Sequence, residues 1–273
     1  MARRNLSLVA GGAIVATLAL AAALGPLVVR ADPLAIDLTR VLAPPGRGHW
    51  LGCDALGRDV LARVLWGARL SLMVSTTVVM LSLAAGSLVG GAAALAGGRV
   101  DSIVMRLVDV VLAFPGFLLA IALAAILGPG IVDLVVALSA MGWTGYARLV
   151  RGEVLSLRER EYVEAARALG APPGRLLFRH LLPGLAGPVA VQATFGVGGI
   201  IIAEAALSFL GLGALPPAPS WGNMLDTGRA FLLVAPHLTT APAVAIGASV
   251  LGFNLLGDLG RQGYASSDVS YSG

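Results

Sequence analysis

Apolar residues run along this chain in long blocks, and the polar positions between them mark the connections. The first block, Leu6 to Val29, holds over 20 apolar residues, enough for a membrane-spanning helix. Ala31 to Arg69 is polar, with Asp32-Pro33 and Ala43-Pro44-Pro45-Gly46 as turn signals. Between His49 and Leu72, Val60, Leu61, Val64, Leu65 and Ala68 fall on one stripe with Arg58, Asp59 and Arg63 off it. That pattern predicts an amphipathic helix lying on the outer interface. Further apolar blocks predict spans at about Leu70–Ala96, Ile103–Leu127, Ile131–Val150, Gly184–Leu210 and Leu238–Leu256. Gly97–Asp101 and Gly128-Pro129-Gly130 read as tight turns, and Pro115 as a kink in the third span. Gly86-Ser87-Leu88-Val89-Gly90 in the second span is a close-packing signature. A loop from Gly211 to Leu225 joins the last two spans.

One stretch breaks this alternation. Glu161 to Pro183 is polar and charged, and Arg148, Arg151, Arg158, Arg160, Arg167, Arg175 and Arg179 crowd it. Tyr162, Ala165, Ala166 and Leu169 continue through it at helical spacing as one apolar stripe. Gly170 suits a C-terminal cap, and Pro172-Pro173 opens a second short helix running to about Leu182. The pattern predicts a helix–Gly–helix elbow at a membrane face, where another protein docks. Six spans with both ends inside put this elbow in the cytoplasm, which its arginines favour; Arg3 and Arg4 put the N-terminus there too. A cleaved signal peptide is the competing reading of the first block, since Ala21-Ala22-Ala23 imitates a cleavage site. Its length, against about 7–15 residues for a signal core, favours an uncleaved span.

Composition sharpens the picture. Of 273 residues 57% are hydrophobic and only 12% charged, against about 25% charged in a soluble domain. All 19 basic residues are arginine. Without a lysine the chain has no ordinary phosphate-binding P-loop, so any ATP site lies in another chain. The pI of ≈ 10.0 reflects arginines beside membrane spans rather than a nucleic-acid partner. A single cysteine, Cys53, excludes an internal disulfide, and no recognisable thiol site surrounds it. His49, His180 and His237 are scattered and point to no metal site.

Glu164-Ala165-Ala166, Gly170 and His180-Leu181-Leu182-Pro183 resemble the EAA signature of ABC-importer permeases. Leu51-Gly52-Cys53-Asp54-Ala55-Leu56-Gly57-Arg58-Asp59 looks like the segment before the second span in the dipeptide/oligopeptide/nickel group. Glu204 to Gly213, followed by Pro219-Ser220-Trp221-Gly222-Asn223, is similar to that group's fifth-span ending and outer loop. The likeness covers roughly residues 30 to 260 and is nearest the group's C-type permease. Cys53 stands where threonine is expected, Gly184 where asparagine usually follows the Leu-Pro, and Leu256 to Arg261 lacks the usual Arg-Asp-x-x-Asp-Pro tail.

The resemblance implies an all-α membrane protein of the type I ABC-importer permease fold, with six transmembrane helices. It divides the chain into residues 1–69 (N-terminal end, first span, outer connection), a permease core at 70–261 with the elbow at 151–183, and a short cytoplasmic tail at 262–273. It implies half of a pore in a prokaryotic inner membrane, paired with a homologous B-type permease, two ATP-binding subunits and an external binding protein. ATP and Mg would sit in the partner subunits, with no cofactor in this chain. Tyr162, Glu164, Ala165, Ala166, Leu169, Gly170, Arg175, His180 and Pro183 would couple ATPase to pore. Di- and oligopeptides are the preferred cargo, with nickel and glutathione as alternatives.

Asp109, Glu204, Ser208 and Phe209 are candidate pathway or gate residues. Glu204, an ionisable group in an apolar span, reads either as part of the pathway or as a structural hydrogen bond between helices. Asp109 reads as pathway or as the i+3 partner of Arg106. Trp50, Trp143, Tyr146 and Trp221 read as interfacial belts rather than a substrate cage. A membrane-embedded hydrolase needs a nucleophile–base pair, which Ser82, Ser139 and Ser249 lack. A stand-alone channel or secondary carrier leaves the elbow unexplained.

Overall fold

Long apolar segments satisfy their backbone polar groups in lipid by forming helices, and the computed structural model follows that rule. It describes residues 2–29 and 31–270, and side chains from Val9 to Arg261 apart from Pro26 and Arg30; the expected roles of Arg3, Arg4 and the 262–273 tail side chains lie outside the described residues. Besides a 3₁₀ turn at Leu38–Arg40, the described residues form nine helical units in order: α1 (Ala2–Val28), α2 (Val60–Ala96), α3 (Gly98–Ala113), α4 (Gly116–Leu127), α5 (Ile131–Leu157), α6 (Glu161–Ala168), α7 (Pro173–Phe209), α8 (Trp221–Arg229) and α9 (His237–Ser270). Among the described residues, extended pairing is confined to two isolated bridges in the outer segment.

α2 is the spine. It lies along α5 with backbones touching: a Cβ on Gly90 would fall 2.2 Å from the Ala147 carbonyl oxygen. α1 and α7 flank α2, and α9 packs on α1 and α7. The core falls into three apolar clusters, one around Trp221 and Ile201, one between α2, α4 and α5, and one under the elbow. α2, α7 and the His237–Arg261 part of α9 are long and apolar enough to cross a membrane, and the α3–α4 pair adds a fourth crossing if it counts as one broken span. The protein is therefore multi-pass. α1 presents a shorter apolar stretch, Val9–Gly25. α5 carries Asp133 in its first turn and Arg148, Arg151 and Glu153 further along.

Three local expectations need correction, and the expected kink is borne out. The outer amphipathic helix is not a separate element: Asp59 accepts a hydrogen bond from Ala62 N at 2.8 Å and caps a helix that continues unbroken to Ala96. Arg63, read as facing outward, is only 4% exposed because the outer segment folds back over it, offering Pro33 O and Asp54. The kink at Pro115 is an 88° bend. Proline has no N–H for the helical ladder and forces Phe114 into extended backbone, so two helices meet nearly at right angles. Finally, the short helix after Pro173 does not stop near Leu182. Pro183 cannot donate to Arg179 O, so the ladder widens to π spacing over Leu176–Leu181, tightens to 3₁₀ over Leu182–Leu185, and continues as α7.

Candidate functional site

The elbow is built from α6, its cap and the first turns of α7. Glu161 and Glu164 occupy the first turn of α6, where negative charge opposes the helix dipole favourably. At the other end Leu169 N donates to Ala165 O, Gly170 N to Arg167 O and Ala171 N to Ala166 O. The last two bonds form a Schellman cap, which needs a left-handed residue; Gly170 supplies it at φ +80°. Val163 is fully buried against Val150, Val154, Leu181 and Leu185, with Ala166 partly buried beside it.

The expected stripe is thus split. Ala166 faces inward with Val163, which the sequence reading missed, whereas Tyr162, Ala165 and Leu169 point outward and Leu169 is 88% exposed. Glu164, Gly170, Arg175 and Pro183 are exposed around them and His180 is half-buried. The eight-residue helix is thus anchored on one face and exposes Tyr162, Ala165 and Leu169 on the other.

The arginines divide into two sets. Arg151 donates to both carboxylate oxygens of Asp101, at 3.1 and 2.6 Å, and Arg148 pairs with Asp109, joining α5 to α3. Arg158 donates to Ala94 O at 3.2 Å, tying the end of α5 to α2. Only Arg160, Arg167, Arg175 and Arg179 are left as an exposed rim. The sequence showed seven arginines between positions 148 and 179 but not that three of them are braces.

At the opposite end of α7, Glu204 is fully buried. It accepts hydrogen bonds from Ser71 Oγ of α2 at 2.8 Å, from Ser208 Oγ of α7 at 2.9 Å, and from Ser220 Oγ at 3.0 Å. Three segments therefore meet on one carboxylate. α8 lies directly on α7 there, since a Cβ on Gly222 would fall 2.2 Å from Ala205 O. Trp221, 1% exposed, donates from Nε1 to Val64 O at 2.9 Å.

Trp221 and the buried Tyr146 are consequently core residues, not interfacial belts. Asp109 pairs across to α5 rather than with Arg106, and Phe209 carries the Arg229 guanidinium 5.3 Å from its ring centre. Of the four pathway candidates the structure brings together only Glu204 and Ser208. Ser71 gave no signal, being a single hydroxyl in otherwise unremarkable surroundings, and Ser220 stood within the Pro219–Asn223 stretch with no role assigned to it.

The Leu51–Asp59 stretch folds as a clasp over the start of α2. Asp54 accepts from Leu56 N, Arg58 N and Arg58 Nε at 2.7–3.0 Å. Asp59 accepts from His49 Nδ1 at 2.7 Å, and Arg40 donates to the other ring nitrogen of His49. His237, at the start of α9, approaches Cys53 O at 3.4 Å. Cys53 is fully buried, and burial pushes its thiol up, away from the nucleophilic thiolate form. Among the described residues no three His, Cys, Asp or Glu side chains gather as metal ligands.

Residues 62–263 match the family described as "Binding-protein-dependent transport system inner membrane component". The chain is 46% identical over 222 residues to the glutathione transport system permease protein GsiD of Pectobacterium atrosepticum, covering 81% of this chain and 74% of that one. To GsiD of Escherichia coli O157:H7 it is 47% identical over 214 residues, 78% of this chain and 71% of the relative. To the dipeptide transport system permease protein DppC of Alkalihalophilus pseudofirmus it is 41% identical over 256 residues, 94% and 84% respectively.

Proposed function

The chain belongs to the binding-protein-dependent transport system inner-membrane family as an ABC-importer permease subunit, and we propose from that premise that it forms half of a pore for peptides. The other half is a homologous B-type permease; two ATP-binding subunits dock from the cytoplasm and an external binding protein delivers cargo. Both termini and the elbow face the cytoplasm, which the exposed Arg160, Arg167, Arg175 and Arg179 support. ATP and Mg belong to the partner subunits.

The observation that carries this reading is the outward face of α6. Leu169 and Tyr162 offer an apolar knob on a helix whose other face is locked into the core through Val163. Glu164, Arg175 and the other exposed elbow residues surround it with polar groups, as at a protein interface with an apolar centre and polar rim. Movement of the ATP-binding subunits reaches the membrane through α7, a single helical run from Pro173 beside the elbow to Phe209 at the outer end. There Glu204 and Ser208 act as a latch on the outer gate, joining α2, α7 and the start of α8. Alternating access is then a rigid-body shift of this lever between two packings.

The relatives named for glutathione and dipeptide transport share one cargo chemistry, a short peptide with free ammonium and carboxylate groups. Mass spectrometry of ligands co-purifying with the binding protein identifies which peptide this importer carries.

The coupling role is tested in the reconstituted importer. Gly170→Pro cannot adopt φ +80° and Glu164→Lys reverses a charge at the elbow surface. Both variants should insert normally, keep basal ATP hydrolysis and lose its stimulation by loaded binding protein. Normal stimulation in either would remove the elbow from the transmission path. Isolation of an active transporter without any ATPase subunit would overturn the importer assignment itself.

A further inference from the structure

Beside the elbow, α5, α7 and α9 enclose a cleft of about 540 Å³. Its spacing is set on two sides by glycines packed against side chains of the neighbouring helix. Gly184 sits where a Cβ would meet Leu157 Cδ1 at 3.1 Å, fixing α7 against the end of α5. Gly260 sits where a Cβ would meet Val191 Cγ2 at 2.5 Å, fixing α9 against α7.

The walls differ from those of the other large cavity, about 520 Å³ beneath the α3–α4 bend, which is lined mainly by apolar side chains such as Leu112, Phe117 and Ile200. Here Glu153 from α5, Arg160 from the following turn, Gln192 from α7 and Arg261 from α9 open onto the space beside Phe195. A carboxylate, two guanidinium groups and a carboxamide thus converge from three segments remote in sequence, in a chain with only 12% charged residues. The nearby Arg148 and Arg151 are neutralised by Asp109 and Asp101. Glu153 and Arg160 have no ion-pair partner among the described residues and remain free for a ligand.

We infer that this cleft is a cytoplasmic-side peptide site that reads the two charged ends of the cargo. Glu153 accepts the ammonium group, Arg261 and Arg160 take the carboxylate through their planar forks, and Gln192 meets a peptide amide. Phe195 supplies an apolar wall for a side chain. The volume lies in the range of small-molecule pockets, and the ligand set suits a dipeptide and glutathione alike. Its arginines are exposed, which keeps the interaction weak enough for cargo to leave. The inference rests on the importer reading above and adds to it a named site for the substrate class.

The test uses the complete importer in nanodiscs, with trialanine, N-acetyl-trialanine and trialanine amide added without binding protein. Equilibrium binding is measured for wild type, Glu153→Gln and Arg261→Gln. In the wild type each blocked peptide should bind about tenfold more weakly than trialanine, the effect of one lost charge-assisted hydrogen bond. Glu153→Gln should weaken trialanine by a similar factor and abolish the penalty for acetylation while keeping that for amidation. Arg261→Gln should reduce the penalty for amidation, with Arg160 still reaching the carboxylate, and keep that for acetylation in full. Equal losses for free and blocked peptides, or no loss at all, overturn the site. ATPase stimulation by loaded binding protein is recorded in the same preparations. Wild-type stimulation with no terminus discrimination sinks the cleft alone, whereas an importer that peptide-loaded binding protein never stimulates sinks the peptide assignment.

Discussion

Glu204 shows how much one side chain can decide in lipid. A carboxylate there is costly unless both its oxygens find donors, and three serine hydroxyls provide them. Glu204→Ala should leave those hydroxyls unpaired and cost about 1–3 kcal/mol, read as a lower thermal midpoint in detergent. Glu204→Gln keeps an acceptor for Ser208 and Ser220, so its midpoint should stay close to wild type. Lost transport at an unchanged midpoint in the glutamine variant would make the charge itself part of the pathway; parallel losses would make the residue a structural node. The sequence marked Glu204 as exceptional and left both roles open. It was silent on Ser71 and gave Ser220 no role, because a lone serine looks the same whether or not a partner arrives from a distant segment. Trp221 misled for a related reason: the bare backbone at Gly67 makes room for its ring, and that cavity exists only once α2 and α8 meet.

At the scale of elements, punctuation was more legible than phase. Gly170 and Pro172-Pro173 announced the cap and restart of the elbow, and the Schellman bonds follow from them. The orientation of α6 was harder to read, since eight residues make barely two turns and both Val163 and Leu169 suit an apolar face. Burial of Val163 settles it, and the exposed Leu169 becomes the residue on offer. Pro183 was read as an ending and is instead a defect within a continuing helix. Pro183→Ala would restore an N–H for Arg179 O and let the π and 3₁₀ turns relax to a regular ladder. Relaxation changes the angle at which the elbow meets α7. Such a variant should assemble and hydrolyse ATP at the basal rate, with weaker stimulation by loaded binding protein. Wild-type stimulation would show that the irregular turns are not needed for transmission.

For the molecule as a whole, composition fixed the class at once, because 12% charge leaves no soluble alternative. What composition could not convey is that the outer polar segment is folded rather than loose. Asp54 gathers three donors, Asp59 caps α2, and Cys53 lies sealed beneath them. A membrane-impermeant maleimide should therefore leave the folded wild type unlabelled and label Cys53 in Asp54→Ala when applied from outside. Labelling of that variant only from the cytoplasmic side would reverse the proposed topology. The Glu204 node also bears on how the chain is made. Ser71 and Glu204 are 133 residues apart, a distance that takes about 7–27 s to synthesise at ordinary elongation rates. During that interval α2 waits in the membrane with a hydroxyl lacking its final acceptor, and the last donor, Ser220, arrives later still. Closure of the Glu204 end is thus timed by translation of the C-terminal third, and a ribosome stalled before Ser220 would leave a nascent chain whose spans are inserted but whose Glu204 end has not yet shut.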